Sequence, residues 1–182
     1  MRVPELLVPA SSLEVLKVAV VFGADAVYIA GPAFGARKAV GNSLEDIEKA
    51  VRYAHRFYCR VFVTLNTILY DEELPEVERL IHGLYKIGVD AIIVQDPAVL
   101  KLDLPPIALH ASTQMHNYDL ERIKFLDRLG FQRVVLAREL SLAQLREIRR
   151  EVKAELEYFV HGALCVSLSG QCYMSHYLTN RS

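Results

Sequence analysis

The chain alternates short apolar runs with longer amphipathic segments along its whole length. The apolar runs are residues 5–8, 26–30, 60–65, 91–94, 107–110, 133–136 and 155–160. Runs that are apolar on both faces, each followed by a helix, are typical of a parallel sheet covered by helices. Because no dinucleotide-type glycine signature follows any run, an open nucleotide-binding sheet is less favoured. We therefore predict an α/β fold, a TIM-type (β/α) barrel that is incomplete, with about seven parallel strands.

Helix start and stop signals separate these runs. Ser12 and Gly23 are candidate caps of the first helix, and Ser43 begins the next with acidic residues in its first turn. The pattern predicts longer helices at 43–57, 72–87, 119–129 and 142–152, and a short helical piece at 98–102. Cys59 lies at a junction between helix and strand, where we expect it to be a core residue.

Length and composition favour one globular barrel domain. Of 182 residues, 52% are hydrophobic and 24% charged, which excludes a disordered chain. No apolar run approaches the roughly 20 residues that span a bilayer, and the N-terminus does not resemble a signal peptide, so we expect a cytoplasmic protein without membrane contact. Because such barrels typically have about 250 residues, we expect residues 1–160 to form the barrel domain and residues 161–182 to begin a cysteine-containing segment of a longer protein. An open barrel edge would favour homo-oligomers.

Polar residues follow five consecutive apolar runs. In (β/α) barrels, functional groups gather at the carboxyl ends of the strands, so these residues predict a ligand site at that rim. The candidate substrate-binding residues are Asn66, Gln95, Asp96, Ser112 and Gln114, and the candidate catalytic residues are His110, Arg138, Glu139 and His161.

Each candidate catalytic residue has a functional and a structural interpretation. The planar fork of Arg138 suits a carboxylate or phosphate, but Arg138 and Glu139 could equally pair with each other or cap loops. His110 and His161 titrate near neutrality and are candidate acid–base groups, although a single histidine at a strand end is more often a structural hydrogen bonder.

Cys165 and Cys172 lie near Gly170 in the last segment. Two thiolates on a glycine-containing loop could bind an iron–sulfur cluster or zinc. From the spacing alone, buried free thiols are favoured, and a Cys165 nucleophile assisted by His161 is a further alternative.

The C-terminal stretch from Glu157 to Ser175 has a specific pattern, with Phe159, Gly162, Cys165, Gly170 and Cys172 at fixed positions. Further characteristic blocks are PELLVPASSLE, GADAVYIAG, VTLNTILYDEEL, DAIIVQDPAV, LHASTQMHNYD and VVLARELSL. Together they resemble the collagenase-like peptidase family U32, whose signature is similar to the C-terminal stretch.

The resemblance implies two competing activities. One is the historical label of metal-dependent, collagenase-like peptidase. The other is prephenate-dependent hydroxylation of a transfer-RNA wobble uridine, a ribosomal-RNA cytidine or a quinone precursor. Several such relatives carry a four-iron cluster held by four cysteines, and Cys165 and Cys172 match the first two of them, with the others expected beyond Ser182. The resemblance therefore favours cluster ligands over inert thiols.

The residues help to choose between these activities. No zinc-helix motif and no GxSxG elbow occurs, whereas a rim of amide, imidazole and guanidinium groups suits a small anionic ligand such as prephenate. We therefore expect modification of tRNA or rRNA, with a peptidase, quinone-precursor hydroxylation or a non-catalytic scaffold as alternatives. With 21 basic and 22 acidic residues, the chain shows no strong electrostatic signature of RNA binding.

Overall fold

The computed structural model describes residues 3–35, 41–163 and 165–171. Its seven strands are β1 (Leu7–Ala10), β2 (Ala26–Ala30), β3 (Arg60–Leu65), β4 (Ala91–Val94), β5 (Ala108–Ala111), β6 (Arg133–Val135) and β7 (Glu155–Glu157). Its five α-helices are α1 (Leu13–Val21), α2 (Leu44–His55), α3 (Leu74–Lys86), α4 (Leu120–Arg128) and α5 (Leu142–Glu151). All neighbouring strands pair in parallel, in the order β1-β2-β3-β4-β5-β6-β7. The predicted α/β fold with an incomplete, seven-stranded barrel is confirmed.

Short polar side chains begin the helices as the sequence predicts. The Ser12 hydroxyl accepts a hydrogen bond from the Val15 amide, and the Ser43 hydroxyl accepts one from the Asp46 amide at 3.1 Å. Each cap satisfies a backbone donor that the first helical turn leaves without a partner. A 3-10 turn, Pro97–Lys101, connects β4 to β5, and a second 3-10 turn, Thr113–Met115, lies between β5 and α4. The chain just after both strands therefore stays close to their ends.

The main hydrophobic core lies between the outer face of the sheet and the helices. Val61, Val63 and Leu65 of β3 are almost fully buried there, as is Cys59, which confirms its predicted place in the core. Burial raises the pKa of the Cys59 thiol to about 11. A second, smaller cluster on the inner face comprises Ala26, Phe62, Ala91 and Ile93. These central strands are therefore apolar on both faces, as the sequence pattern indicates.

Four strands differ from their predicted bounds, and β6 differs least, since it ends one residue early at Val135. β1 begins two residues later than expected because the Leu6 carbonyl accepts hydrogen bonds from the Asp25 and Ala26 amides before the regular ladder starts. β5 is displaced by one residue and ends at Ala111. β7 ends at Glu157, after which the Tyr158 hydroxyl donates to the carbonyls of Arg138 and Leu140 and draws the chain across the end of β6.

A buried arginine joins the two edge strands of the open sheet. Arg133 on β6 is only 5% exposed, and its guanidinium donates to Glu155 of β7 at 2.5 Å and to Glu5, just before β1, at 2.9 Å. Glu157 lies 3.5 Å from the same guanidinium, and Arg60 of β3 also pairs with Glu5. The network therefore fastens the start of β1 to β7 and keeps the seven strands curved around one interior.

Burial also affects the charges of this network. Burial raises the pKa of Glu157, and the neighbouring Arg133 opposes that rise. The guanidinium of Arg133 lies over the Phe62 ring at 5.1 Å, so its flat face is covered by an aromatic side chain. These contacts satisfy a charge that would otherwise be costly in the interior.

Among the described helices, none combines the length and the apolar character needed to cross a membrane. Within the same part of the chain, no further strand pairs with the outer edge of β1 or of β7. Homo-oligomers through this open edge stay a prediction.

Replacing Arg133 with leucine should destabilise the fold by about 3 kcal/mol, because the acidic partners would remain in place without their cation. Urea unfolding followed by circular dichroism measures this change. The control is Arg52→Leu, which removes an exposed arginine that pairs with Glu48 within α2 and should cost less than about 0.5 kcal/mol. Equal losses in the two variants would contradict the role assigned to Arg133.

Candidate active-site rim

Three polar residues stand side by side at the carboxyl ends of β3, β4 and β5. Leu65 is paired with Val94, and Val94 with Ala111, so the next residues along the three strands are Asn66, Gln95 and Ser112. The Ser112 amide donates to the Val94 carbonyl at 2.8 Å, which continues the ladder to that point. By the alternation of side chains along a strand, these three residues belong to the set that faces the barrel interior.

Asp96 has a structural task at this rim. Its two carboxylate oxygens accept hydrogen bonds from the Leu69 amide at 3.0 Å and from the Ala98 amide at 2.8 Å. The carboxylate thus joins the loop after β3 to the turn after β4. The predicted substrate contact of Asp96 would compete with these bonds and stays a prediction.

Ser112 and Gln114 lie in the turn after β5. Ser112 is buried, and its hydroxyl accepts a hydrogen bond from the Gln114 amide at 3.1 Å, which leaves the hydroxyl proton available as a donor. Gln114 is half-buried. Their predicted roles in substrate binding are compatible with these positions.

Arg138 and Glu139 follow β6, and each has its own partner. The Arg138 guanidinium lies over the Phe159 ring at 5.5 Å, and the Glu139 carboxylate accepts a hydrogen bond from the Ser169 amide at 2.8 Å. Partial burial acts to raise the pKa of Glu139, but hydrogen bonds from Ser169 and from its own backbone, with a smaller contribution from Arg138, hold that pKa below its usual value. Mutual pairing is therefore not the main interaction of either residue.

The sequence predicts His110 at the end of the fifth strand, whereas in the structure it lies one residue before the end of β5 and is buried. It belongs to β5, two residues before Ser112, and its ring packs edge-on against Phe62 with 4.8 Å between the ring centroids. Burial lowers its pKa to about 3, with further lowering by Arg133 and Arg60. A neutral imidazole inside the barrel is poorly suited to donate a proton to a substrate at the rim.

The cysteine-containing segment is described at residues 161–163 and 165–171, and its Ser169 contacts residues that follow β5 and β6. His161 and Cys165 are exposed, whereas Ser169 and Gly170 are buried. Cys165 is a free thiol, and its exposure contradicts the buried thiol that the spacing favoured. Cys172 lies outside the described residues.

The donor set available for a metal is limited in the described part of the chain. An exposed cysteine such as Cys165 suits an iron–sulfur cluster, but the described residues contain no group of three or more His, Cys, Asp or Glu side chains that could hold a metal ion. These residues therefore fit a cluster in part, through Cys165 alone.

Two residues that organise the rim escaped the sequence reasoning. The buried side-chain amide of Asn117 donates to the carbonyls of Ser112 and Val135, both at 2.8 Å, and so joins the ends of β5 and β6. His116 Nδ1 donates to the Ser169 carbonyl. Both lie in the block LHASTQMHNYD, but a residue in a loop has no helical or strand periodicity that would reveal its contacts.

Comparison with known proteins agrees with this architecture. The model for peptidase family U32 matches residues 11–182, and the chain belongs to that family. A solved structure of a U32 peptidase superposes with a TM-score of 0.76 at 18% sequence identity, covering 91% of this chain and 72% of the other. At that identity, the likeness to the solved structure concerns the fold.

Several curated relatives are named for RNA hydroxylation. The chain is 56% identical over 178 residues to the 23S rRNA 5-hydroxycytidine C2501 synthase of Escherichia coli (strain K12), covering 98% of this chain and 27% of the relative. It is 38% identical over 182 residues to tRNA hydroxylation protein P1 of Bacillus subtilis (strain 168), covering 98% of this chain and 43% of the relative. The chain thus spans less than half the length of either relative.

The lowered pKa of His110 predicts a pH-dependent stability. Its pKa is about 3 in the folded chain against an ordinary value of 6.5, so the unfolded chain binds more protons between these values and the free energy of unfolding falls as the pH drops below about 6.5. Between about pH 7.5 and pH 5, the variant His110→Leu should lose about 2 kcal/mol less stability than the parent chain.

Urea unfolding at the two pH values measures this difference. The matched control is Leu142→Ala, an exposed change that removes no titratable group and should keep the full pH dependence of the parent chain. An identical pH dependence in the parent chain and in His110→Leu would show that His110 is not held neutral by the barrel interior.

Proposed function

We propose that this chain is the barrel part of an enzyme that hydroxylates RNA, with a ribosomal-RNA cytidine as the favoured substrate and a transfer-RNA uridine as the next. The observation that carries the proposal is the position of Ser169 in the cysteine-containing segment. It is hydrogen-bonded to residues that follow β5 and β6, next to the row of Asn66, Gln95 and Ser112, called the polar row below. The 56% identity to a ribosomal-RNA hydroxycytidine synthase supports the choice of RNA and of cytidine.

The polar row suits a small anionic co-substrate, for which we propose prephenate. Asn66, Gln95 and Ser112 offer amide and hydroxyl donors along one side of the barrel mouth. Arg138, whose guanidinium is held over Phe159, would bind a carboxylate of the ligand with two parallel hydrogen bonds. The chain's own residues would thus bind and orient the co-substrate.

The proposed cofactor is a four-iron cluster in a longer protein, with Cys165 and Cys172 as two of its ligands. Such a cluster would supply one-electron redox chemistry when bound, and replacing C–H with C–OH is a two-electron oxidation. The exposed thiol of Cys165 is accessible for that purpose. We place this chemistry in the cytoplasm. Because the chain has 21 basic and 22 acidic residues, we assign most of the affinity for RNA to other parts of the protein.

The peptidase label of the family has less support at this site. Peptide hydrolysis requires an activated nucleophile or a metal-bound water. Within the described ranges, the free thiol Cys165 is exposed at the surface, and no metal-binding group of three or more candidate ligands occurs. Quinone-precursor hydroxylation and a scaffold role stay as outcomes of the test below.

A strain that lacks the gene should lose a hydroxylated cytidine from its 23S ribosomal RNA. Mass spectrometry of digested RNA measures the nucleoside, and the full-length gene should restore it. Arg138→Ala should lower the restored level by at least about tenfold, because a hydrogen-bonded charge is removed from the co-substrate site. Glu147→Ala, an exposed change on α5, should restore the parent level.

Other outcomes would redirect the proposal. Unchanged hydroxycytidine and hydroxyuridine in the deletion strain would contradict RNA hydroxylation, and a changed quinone pool in the same strain would point to the quinone precursor. Iron analysis of the full-length protein, purified without oxygen, tests the cofactor separately: it should contain iron, and Cys165→Ser should lower the iron content. A parent protein without iron would contradict the cluster.

A further inference from the structure

Ser169 is fully buried in the middle of an otherwise exposed segment. Its relative exposure is 0%, while Val166 and Leu168 nearby are 104% and 62% exposed. A polar residue loses its contacts with water on burial and must replace them with hydrogen bonds. The exposed segment is therefore attached to the barrel at this residue.

All three polar groups of Ser169 have partners on the barrel. Its amide donates to Glu139 Oε1 at 2.8 Å, and its hydroxyl accepts a hydrogen bond from the Arg138 amide at 3.1 Å. Its carbonyl accepts a hydrogen bond from His116 Nδ1 at 2.5 Å. Hydrogen bonds from residues that follow β5 and β6 thus meet at Ser169. They fix its position relative to both strands.

Gly170 completes the attachment because only glycine fits there. Its φ of +79° lies in the left-handed region, and an added Cβ would come within 2.7 Å of the His116 nitrogen and 2.9 Å of the Thr113 carbonyl oxygen. The backbone of the segment therefore touches the turn after β5 directly. The Gln171 amide donates to the Leu168 carbonyl at 3.0 Å and closes the turn.

The barrel side of this contact is held by interactions of its own. His116 has a left-handed backbone, φ +57°, and its ring packs on Tyr118 with 4.4 Å between centroids. The Tyr158 hydroxyl donates to the carbonyls of Arg138 and Leu140 on either side of Glu139. Both groups that contact Ser169 are thus placed by neighbours outside the segment.

We propose that Glu139 and His116 are positioning residues that hold segment 165–171, and with it the Cys165 thiol, against the β5–β6 end of the barrel. We call this contact the Ser169 latch. Its purpose, which is to keep a cysteine ligand beside the polar row, rests on the proposed function. The sequence predicts Glu139 as a catalytic residue, and the proposal assigns it a positioning role instead. His116, which the sequence did not single out, receives the same role.

A nitroxide spin label on Cys165 tests the latch directly in the 182-residue chain. The Cys172→Ser background leaves Cys165 as the reactive thiol, since Cys59 is buried and burial raises its pKa to about 11. The electron paramagnetic resonance line shape reports how freely the label moves. Glu139→Ala and His116→Ala should each sharpen the lines, whereas Glu139→Gln, which keeps an oxygen acceptor for the Ser169 amide, should retain the parent spectrum.

Hydrogen exchange of the Ser169 amide gives an independent reading on the unlabelled chain. Loss of its acceptor in Glu139→Ala should speed exchange about tenfold, and Gly170→Ala should do the same by displacing the turn. Glu147→Ala is the control with an exposed glutamate, and thermal unfolding establishes that each variant is folded. A structural role of Glu139 in overall stability alone would lower the melting temperature without a selective change at Ser169.

The proposal is overturned if label motion and Ser169 exchange stay at parent values in both Glu139→Ala and His116→Ala. It is also overturned if Glu139→Gln behaves like Glu139→Ala, because the hydrogen-bond acceptor would then not be the active feature. Neither measurement uses RNA or iron. An intact latch with no effect on RNA would therefore contradict only the proposed function, and a missing latch with hydroxylation preserved would contradict only this inference.

Discussion

The ion pairs of Arg133 are the constraint on which the rest of the architecture depends. A seven-stranded parallel sheet has two free edges, and twisted strands alone do not join them. Arg133 reaches from β6 to Glu155 on β7 and to Glu5 before β1, so the two edges are held across a common interior. That curvature brings the carboxyl ends of the strands together as a rim.

The two ends of the barrel consequently have different chemistry. Toward the amino ends of the strands, charged side chains neutralise one another, and His110 is kept neutral beside Phe62. At the carboxyl ends, the ladder places Asn66, Gln95 and Ser112 in one row, and the Ser169 latch holds the cysteine-containing segment over the neighbouring strands. The charged residues that stabilise the fold and the polar residues proposed to bind the ligand therefore lie at opposite ends of the barrel.

The sequence predicts local features well where a regular period or a cap carries the signal. The strand order, the caps Ser12 and Ser43 and the row of rim residues follow from apolar runs and from the side-chain chemistry just after them. Arg133 was not singled out, because a charged residue at the start of an apolar run resembles an ordinary strand boundary. An error of one residue in β5 moved His110 to the rim, although its neighbours place it inside. The contacts of Ser169 and His116 join loops far apart in the chain, which periodicity does not detect.

The most direct test of the rim as the ligand site is a titration of the isotope-labelled chain with prephenate. Nuclear magnetic resonance spectra report the shift of each backbone amide resonance. The account predicts that shifts concentrate at Asn66, Gln95, Ser112 and Arg138, and that Arg138→Ala abolishes them while Glu147→Ala does not. Shifts centred on Glu5 and Arg133 at the opposite end would contradict the account. Resonances that do not move at any prephenate concentration would contradict it equally.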